Sequence, residues 1–220
     1  NYSLTGSDAG NYVLASNVTT YSGTANINQA TITAITNVTL SNKTYDSTTT
    51  ANFNLSNAIL TGRIGSDNIS LTGGSAQFDN KSAGSNKTVT VTNYSLTGSD
   101  AGNYVLASNV TNYSGTANID KAVITAITGV TLSNKTYNGN TNASFDLTNA
   151  SFTGKIAGDV LNLTGGAGGF ASKDVGTNIN VTVSNMTLGG ADAGNYIVTG
   201  GTPSFSGTAN ITQANLTLTA

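Results

Sequence analysis

The chain has 220 residues, eight Lys plus Arg, ten acidic side chains and a formal charge of −2, with charged residues making up only 8% of the total. His, Cys, Trp and Glu are absent, which all but excludes zinc ligation, thiol chemistry and imidazole-based catalysis; no catalytic residue, cofactor or metal site is expected, and the chain reads as a non-enzyme. The sparse lysines form no basic stripe of the kind nucleic acid requires, and no apolar run approaches the roughly 20 residues that span a bilayer, so neither nucleic-acid binding nor a membrane span is expected.

Taken in chain order, the elements repeat. Residues 1–45 align with residues 93–137 without a gap and with five mismatches, and the same offset of 92 continues through Phe53/Phe145, Asp67/Asp159, Phe78/Phe170 and Gly84/Gly176. A period this long suits an independently folding domain rather than a solenoid turn. The expected division is 1–34 as the C-terminal part of a preceding repeat, 35–126 as a complete repeat and 127–220 as another. Thr, Ser and Asn alternate with Val, Ile and Leu, as in Thr88-Val-Thr-Val-Thr92, the period of a strand with one wet face.

Strands are expected near residues 35–41, 51–56, 58–63, 68–71, 88–96, 103–107 and 115–118, each with a counterpart 92 residues on. Gly65-Ser-Asp67, Gly73-Gly74 and Gly189-Gly190 read as turns between them. Seven or so short strands per unit predict an all-β chain: tandem antiparallel β-sandwich domains of the immunoglobulin-like kind, in an elongated rod. Tyr45, Phe53, Phe78, Tyr94, Tyr104 and Tyr113 are the aromatics expected to pack its first complete core or rim.

Between Gly115 and Leu132 the apolar alternation hardly breaks, with no Pro and no Ser/Gly-rich tract, which is unlike a flexible linker. The last strand of one unit is therefore expected to lead directly into the first strand of the next. Residues 1–34 match only the final third of a unit. Upstream sequence would complete them, or neighbouring chains would pair at an exposed edge and build a filament by strand addition.

Several local motifs invite a function. Asp100-Ala-Gly-Asn-Tyr104, with sister copies Asp8-Ala-Gly-Asn-Tyr12 and Asp192-Ala-Gly-Asn-Tyr196, is similar to the corner of immunoglobulin-like sandwiches in which a Tyr hydroxyl bonds back to the corner backbone. The alternative is an ordinary turn followed by a core Tyr; both make Asp8, Asp100 and Asp192 structural. Their carboxylates occur singly, unlike a calcium cage. Nineteen of thirty Asn begin an Asn-X-Ser/Thr triplet, although strand alternation alone places Ser or Thr at i+2; Asn80 and Asn86 are the candidate glycan acceptors. The Thr88–Thr92 run is either a hydroxyl lattice for ice or polysaccharide or a set of good strand formers. Lys43 and Lys135, each beside a Tyr, either enter an amide crosslink with Asn or guard an edge strand.

Lys43-Thr-Tyr-Asp-Ser47 and Lys135-Thr-Tyr-Asn-Gly139 are followed by Leu60-Thr-Gly-Arg-Ile-Gly-Ser-Asp67 and Phe152-Thr-Gly-Lys-Ile-Ala-Gly-Asp159, then by the Asp-Ala-Gly-Asn-Tyr corner and a closing Gly-Thr-Ala-Asn-Ile. This order resembles the YDG-type repeat domain of large bacterial surface adhesins, the filamentous-haemagglutinin-like exoproteins often secreted through an outer-membrane partner. One copy reads Tyr-Asp-Ser and the other Tyr-Asn-Gly, so neither keeps all three name-giving residues. The resemblance implies a secreted stalk or adhesive domain at the bacterial cell surface, whose partners are neighbouring repeats, further copies of itself in a fibre, or a host or matrix glycan.

Overall fold

The computed structural model describes residues 2–16, 18 and 20–218. They are all-β, with helical turns only at Ala9–Asn11, Ala101–Asn103, Ser108–Val110 and Ala193–Asn195. None of these helices is long and apolar enough to cross a membrane.

In the first unit a six-stranded sheet runs in the order Thr39–Ser41, Thr50–Asn54, Ser70–Phe78, Gly84–Thr97, Tyr113–Asp120 and Lys43–Thr44. The short Ala34–Thr36 and Ile59–Thr61 strands pair beside it. Ala30–Ile32 pairs parallel with Tyr104–Leu106, and Lys43–Thr44 pairs parallel with Tyr113–Asp120, so the sheet is mixed where a purely antiparallel one was expected. The second unit repeats the plan, with Ala122–Ile124 parallel to Tyr196–Val198 and Lys135–Thr136 parallel to Phe205–Thr212. By these pairings one unit runs from Ala30 to Asp120 and the next begins at Ala122, ahead of the divisions expected after Ala34 and Ala126.

Alternation decides which face each strand buries. Val89 and Val91 are fully buried between outward Thr88, Thr90 and Thr92, and Val181 and Val183 repeat this in the second unit. Two details escaped the period-two reading. Asn37 takes a left-handed φ of 58° and its side-chain amide donates to the Asn57 carbonyl at 2.9 Å, which breaks the expected 35–41 strand into Ala34–Thr36 and Thr39–Ser41. Gly73-Gly74 is no turn but lies inside Ser70–Phe78. There Gly74 (φ 97°) stands opposite Asn93 (φ 58°) in register, so both strands bend at one point. Gly166 and Asn185 do the same in the second unit. The φ of 97° at Gly74 disfavours any other residue, and an ideal Cβ there would crowd the Thr92 carbonyl oxygen at 3.0 Å; the paired bends curl the long strands in the manner of a barrel.

The core of the first unit holds Tyr45, Phe78, Tyr94 and Tyr104 buried, with Phe53 and Tyr113 partly buried at its margin. It does not stop at Asp120. Ala122, Ile124 and Tyr196 belong to the same continuous buried cluster.

Candidate functional site

The place where this cluster passes from one unit to the next is the most elaborately built site in the chain. On the side of the second unit it begins with the loop from Ile156 to Asp159 and the Asp192-to-Tyr196 corner. The Tyr196 hydroxyl donates to Asp159 Oδ2 at 2.6 Å and accepts from the Ile156 N–H at 2.9 Å. Asp192 Oδ2 accepts from the Val160 N–H at 2.9 Å, and the Asp192 N–H donates back to the Val160 carbonyl. The corner and the loop thus fasten each other across some forty positions of sequence.

The first unit repeats every bond. Tyr104 donates to Asp67 Oδ2 at 2.6 Å and accepts from Ile64 N–H at 2.9 Å, while Asp100 Oδ2 accepts from Asn68 N–H at 2.7 Å. The corner Tyr therefore does not bond back to its own turn; it bridges to a distant loop. The hydroxyl that bonds to nearby backbone is that of Tyr94, which donates to the Val110 carbonyl. Asp8 and Tyr12 occupy an equivalent turn around Ala9–Asn11, with Tyr12 exposed.

The first unit supplies the other half of the site through the loop after Lys43–Thr44. Lys43 Nζ is drawn inward and donates to Asp46 Oδ1 at 2.6 Å, to the Thr48 hydroxyl at 2.9 Å and to the Thr48 and Thr50 carbonyls, each at 3.0 Å. It lies 5.8 Å from the centre of the Phe78 ring. Lys43 therefore clamps the loop rather than guarding an edge. Desolvation pushes the Asp46 carboxyl up, but Lys43 and the Thr48 N–H and hydroxyl outweigh it and hold it below its ordinary value. Ser47 follows with a left-handed φ of 65°. Lys135 draws the equivalent loop together through the Asn140 and Asn142 carbonyls, with the Asn140 side chain in place of a carboxylate.

The clamped loop presents Tyr45 to the second unit. Its ring meets that of Tyr196 edge-on, at 5.6 Å between centroids and 74° between planes, a favoured aromatic geometry. The Ser47 hydroxyl donates to Asp159 Oδ1 at 3.4 Å and accepts from Lys81 Nζ at 3.1 Å, and the Ala83 N–H donates to Asn195 Oδ1 at 2.9 Å. Asp159 and Asn195 are the two buried polar residues among those described. Burial raises the Tyr45 phenol above its ordinary value, and Asp159 adds to the effect. The Tyr196 phenol is pushed up to about 12, first by burial and then by its bond to the Asp159 carboxylate. Both phenols therefore stay neutral at physiological pH and act in the joint as packed rings.

Of the residues singled out from sequence, Tyr196 and Asp192 belong to this joint, and Asp100 and Tyr104 form its counterpart at the other end of the first unit. Asn80 and Asn86 lie elsewhere. Asn80 is exposed in a bend where its side-chain oxygen accepts from Ser82 N–H and Lys87 Nζ. Asn86 is exposed inside the Gly84–Thr97 strand, with φ 52°, where the register with Tyr113–Asp120 shifts. Thr88, Thr90 and Thr92 point outward beside Thr116, Ser114, Gln77 and Ser75, a hydroxyl face three strands wide. In the second unit Ala167 and Gly169 take the places of Ser75 and Gln77, so the face narrows there. Sequence reasoning missed Ser47, Lys81, Ala83, Asp159 and Asn195 as partners. The available signal was that Asp67/Asp159 and Asn103/Asn195 are kept at the 92-residue offset although all four lie outside the strands.

Comparison with known families matches the YDG domain twice, over residues 26–112 and 119–204. No curated protein and no solved structure matches.

Proposed function

The chain belongs to the YDG domain family, carrying two copies of that domain in tandem, and from this premise we propose that it is a structural and adhesive segment of an extracellular bacterial surface protein. In this reading its immunoglobulin-like sandwich units form a stiff stalk that sets distance, and no catalytic step is involved. The observation that supports it most directly is the joint. Lys121 alone separates the Tyr113–Asp120 strand from Ala122–Ile124. Tyr45, Ser47 and Ala83 then brace the junction against Tyr196, Asp159 and Asn195. A single residue between strands, plus a buried contact beside it, leaves few backbone torsions free to bend the joint. Small-angle scattering of the dilute chain tests this: one fixed spacing between the unit centres is expected, and a broad distribution of spacings overturns it.

The three-strand hydroxyl face around Thr88, Thr90 and Thr92 favours a glycan as the adhesive ligand of the first unit. Binding to a glycan array that Thr90→Val abolishes is the expected outcome, and an array without signal removes the ligand while leaving the stalk.

A further inference from the structure

We propose that Asn138 is a site of self-modification: its side-chain amide is lost through a succinimide formed with the Gly139 nitrogen, and the carboxylate left behind gives Lys135 the partner that Lys43 already has in Asp46. The second copy then carries Tyr-Asp-Gly in full, although its gene-encoded residues read Tyr137-Asn138-Gly139.

Of the thirty Asn, Asn138 alone precedes a Gly; every other Asn is followed by a side chain that crowds the approach of the next backbone nitrogen to Cγ. Asn138 is exposed in a stretch without regular structure, Gly139 takes φ 80°, and a Cβ there would meet nothing within 4 Å. The main chain therefore has room to close a five-membered ring. The Gly139 N–H donates no hydrogen bond among the described residues, which leaves its nitrogen free to act as the nucleophile. Asn138 Oδ1 accepts from the Asn140 N–H at 3.3 Å, a bond that draws charge from Cγ and steadies the oxygen as negative charge develops on it. The openness belongs to the position itself: Asp46, at the same place in the repeat, keeps 52% of its side chain exposed although its loop is seated in the joint.

Water is the only co-reactant the step needs. The Gly139 nitrogen gives up its proton to solvent base and bonds to Asn138 Cγ, the Cγ–Nδ2 bond breaks, and ammonia leaves with a proton returned from solvent. Water then opens the ring at Cγ to leave aspartate, or at the main-chain carbonyl to leave isoaspartate. Aspartate is the product this loop is shaped to hold. At the sister position Asp46 Oδ1 accepts from Lys43 Nζ at 2.6 Å, from the Thr48 N–H at 2.9 Å and from the Thr48 hydroxyl at 2.8 Å, and the residues that follow, Ser47 and Gly139, share a left-handed backbone at φ 65° and 80°. Isoaspartate would add a methylene to the main chain of a loop that Lys135 ties to the Asn140 and Asn142 carbonyls at 2.6 and 3.1 Å, and would strain those bonds. While Asn138 is intact, Lys135 turns to Asn140 Oδ1 at 3.0 Å. The new carboxylate draws it back, and a clamp held by amide dipoles becomes one held by a charge.

Intact mass and peptide mapping of the full chain, incubated at mildly alkaline pH and body temperature, test the proposal. A gain of about 1 Da is expected at residue 138, at least about tenfold faster than at any other Asn. Gly139→Ser, a change the fold accepts because Ser47 stands at that place in the first copy, should slow it at least about tenfold. Fragmentation that tells aspartate from isoaspartate should find aspartate in excess in the folded chain and isoaspartate in excess in a free peptide of residues 135–142. Asn138→Asp, the product made directly, should melt a few degrees above freshly prepared wild type, and Asn140→Ala should lower the midpoint less in that background than in wild type. Conversion at residue 138 no faster than elsewhere, a folded chain that yields mainly isoaspartate, or an Asn138→Asp midpoint at or below that of wild type overturns the proposal.

Discussion

Replacing Tyr45 with Ala removes the ring that closes the joint, and the same change at Tyr137 supplies an internal control. The two residues share a place in the repeat but not an environment: Tyr45 is 2% exposed with its ring 5.6 Å from that of Tyr196, and Tyr137 is 38% exposed. Truncating a buried aromatic costs about 3–5 kcal/mol, of which an edge-on ring pair supplies about 0.5–1.5. At the half-exposed position the loss is on the order of 1 kcal/mol. For a domain of this size about 1 kcal/mol moves the melting midpoint by 4–8 °C. Tyr45→Ala should therefore lower the midpoint of the first unit by at least about 10 °C in calorimetry and split a single transition into two, because the core cluster no longer runs through the joint. Tyr137→Ala should move it much less. Tyr45→Phe keeps the ring and removes a hydroxyl that makes no hydrogen bond among the described residues, so its midpoint should stay within a few degrees of wild type. Equal losses from Tyr45→Ala and Tyr137→Ala would refute the reasoning, since the burial of Tyr45 would then serve its own unit and not the contact.

Acid should loosen the Lys43 clamp. The Asp46 carboxyl is held below its ordinary value, so its contribution is present above about pH 4 and is lost as pH falls through the folded value. Asp46→Asn should shrink the midpoint difference between pH 7 and pH 3 without abolishing it, because Asp79, Asp146 and Asp174 are also held low; an unchanged difference counts against the clamp. Gly98 has φ 113° and an ideal Cβ there would lie 2.2 Å from the Asn68 carbonyl oxygen, whereas Gly65 (φ 50°) has open space around it. Gly98→Ala should cost at least about 2–3 kcal/mol in urea unfolding and Gly65→Ala about 1. Equal costs would mean that the approach of the corner to the 64–68 loop is not fixed.

Much of this was legible in the sequence. The offset of 92 gave the two units, and period-two alternation gave the strands, because Val89 and Val91 must face one way and the Thr around them the other. What the pattern could not give is anything that depends on a partner far along the chain. Gly73-Gly74 reads as a turn until Asn93, on the next strand, is seen to bend at the same level. The corner motif identified Tyr104 and Tyr196 as special, yet their hydroxyls go to loops 37 positions upstream. The joint is harder still, since Ser47 meets Asp159 and Ala83 meets Asn195 across 112 positions. Local propensity carries no record of such contacts. Only the retention of the same loop residues in both copies hints at them.

The three residues after which the family is named take on separate physical roles here, and the two imperfect copies separate them. The Tyr is the ring that enters the joint, as Tyr45 does against Tyr196. The Asp neutralises the clamping Lys: with Asp46 present, Lys43 closes an ion pair at 2.6 Å, and with Asn138 in its place Lys135 turns to the Asn140 side chain instead. The Gly answers a left-handed turn, which Gly139 makes at φ 80° without strain and Ser47 makes at φ 65° against its own Cβ. Ser47 recovers something that Gly139 does not have, a hydroxyl that links Lys81 to Asp159 across the joint. The departure from the motif in the first unit therefore falls at a position whose side chain, like that of Tyr45, reaches the neighbouring unit, and the departure in the second falls where only the clamp inside the unit is affected.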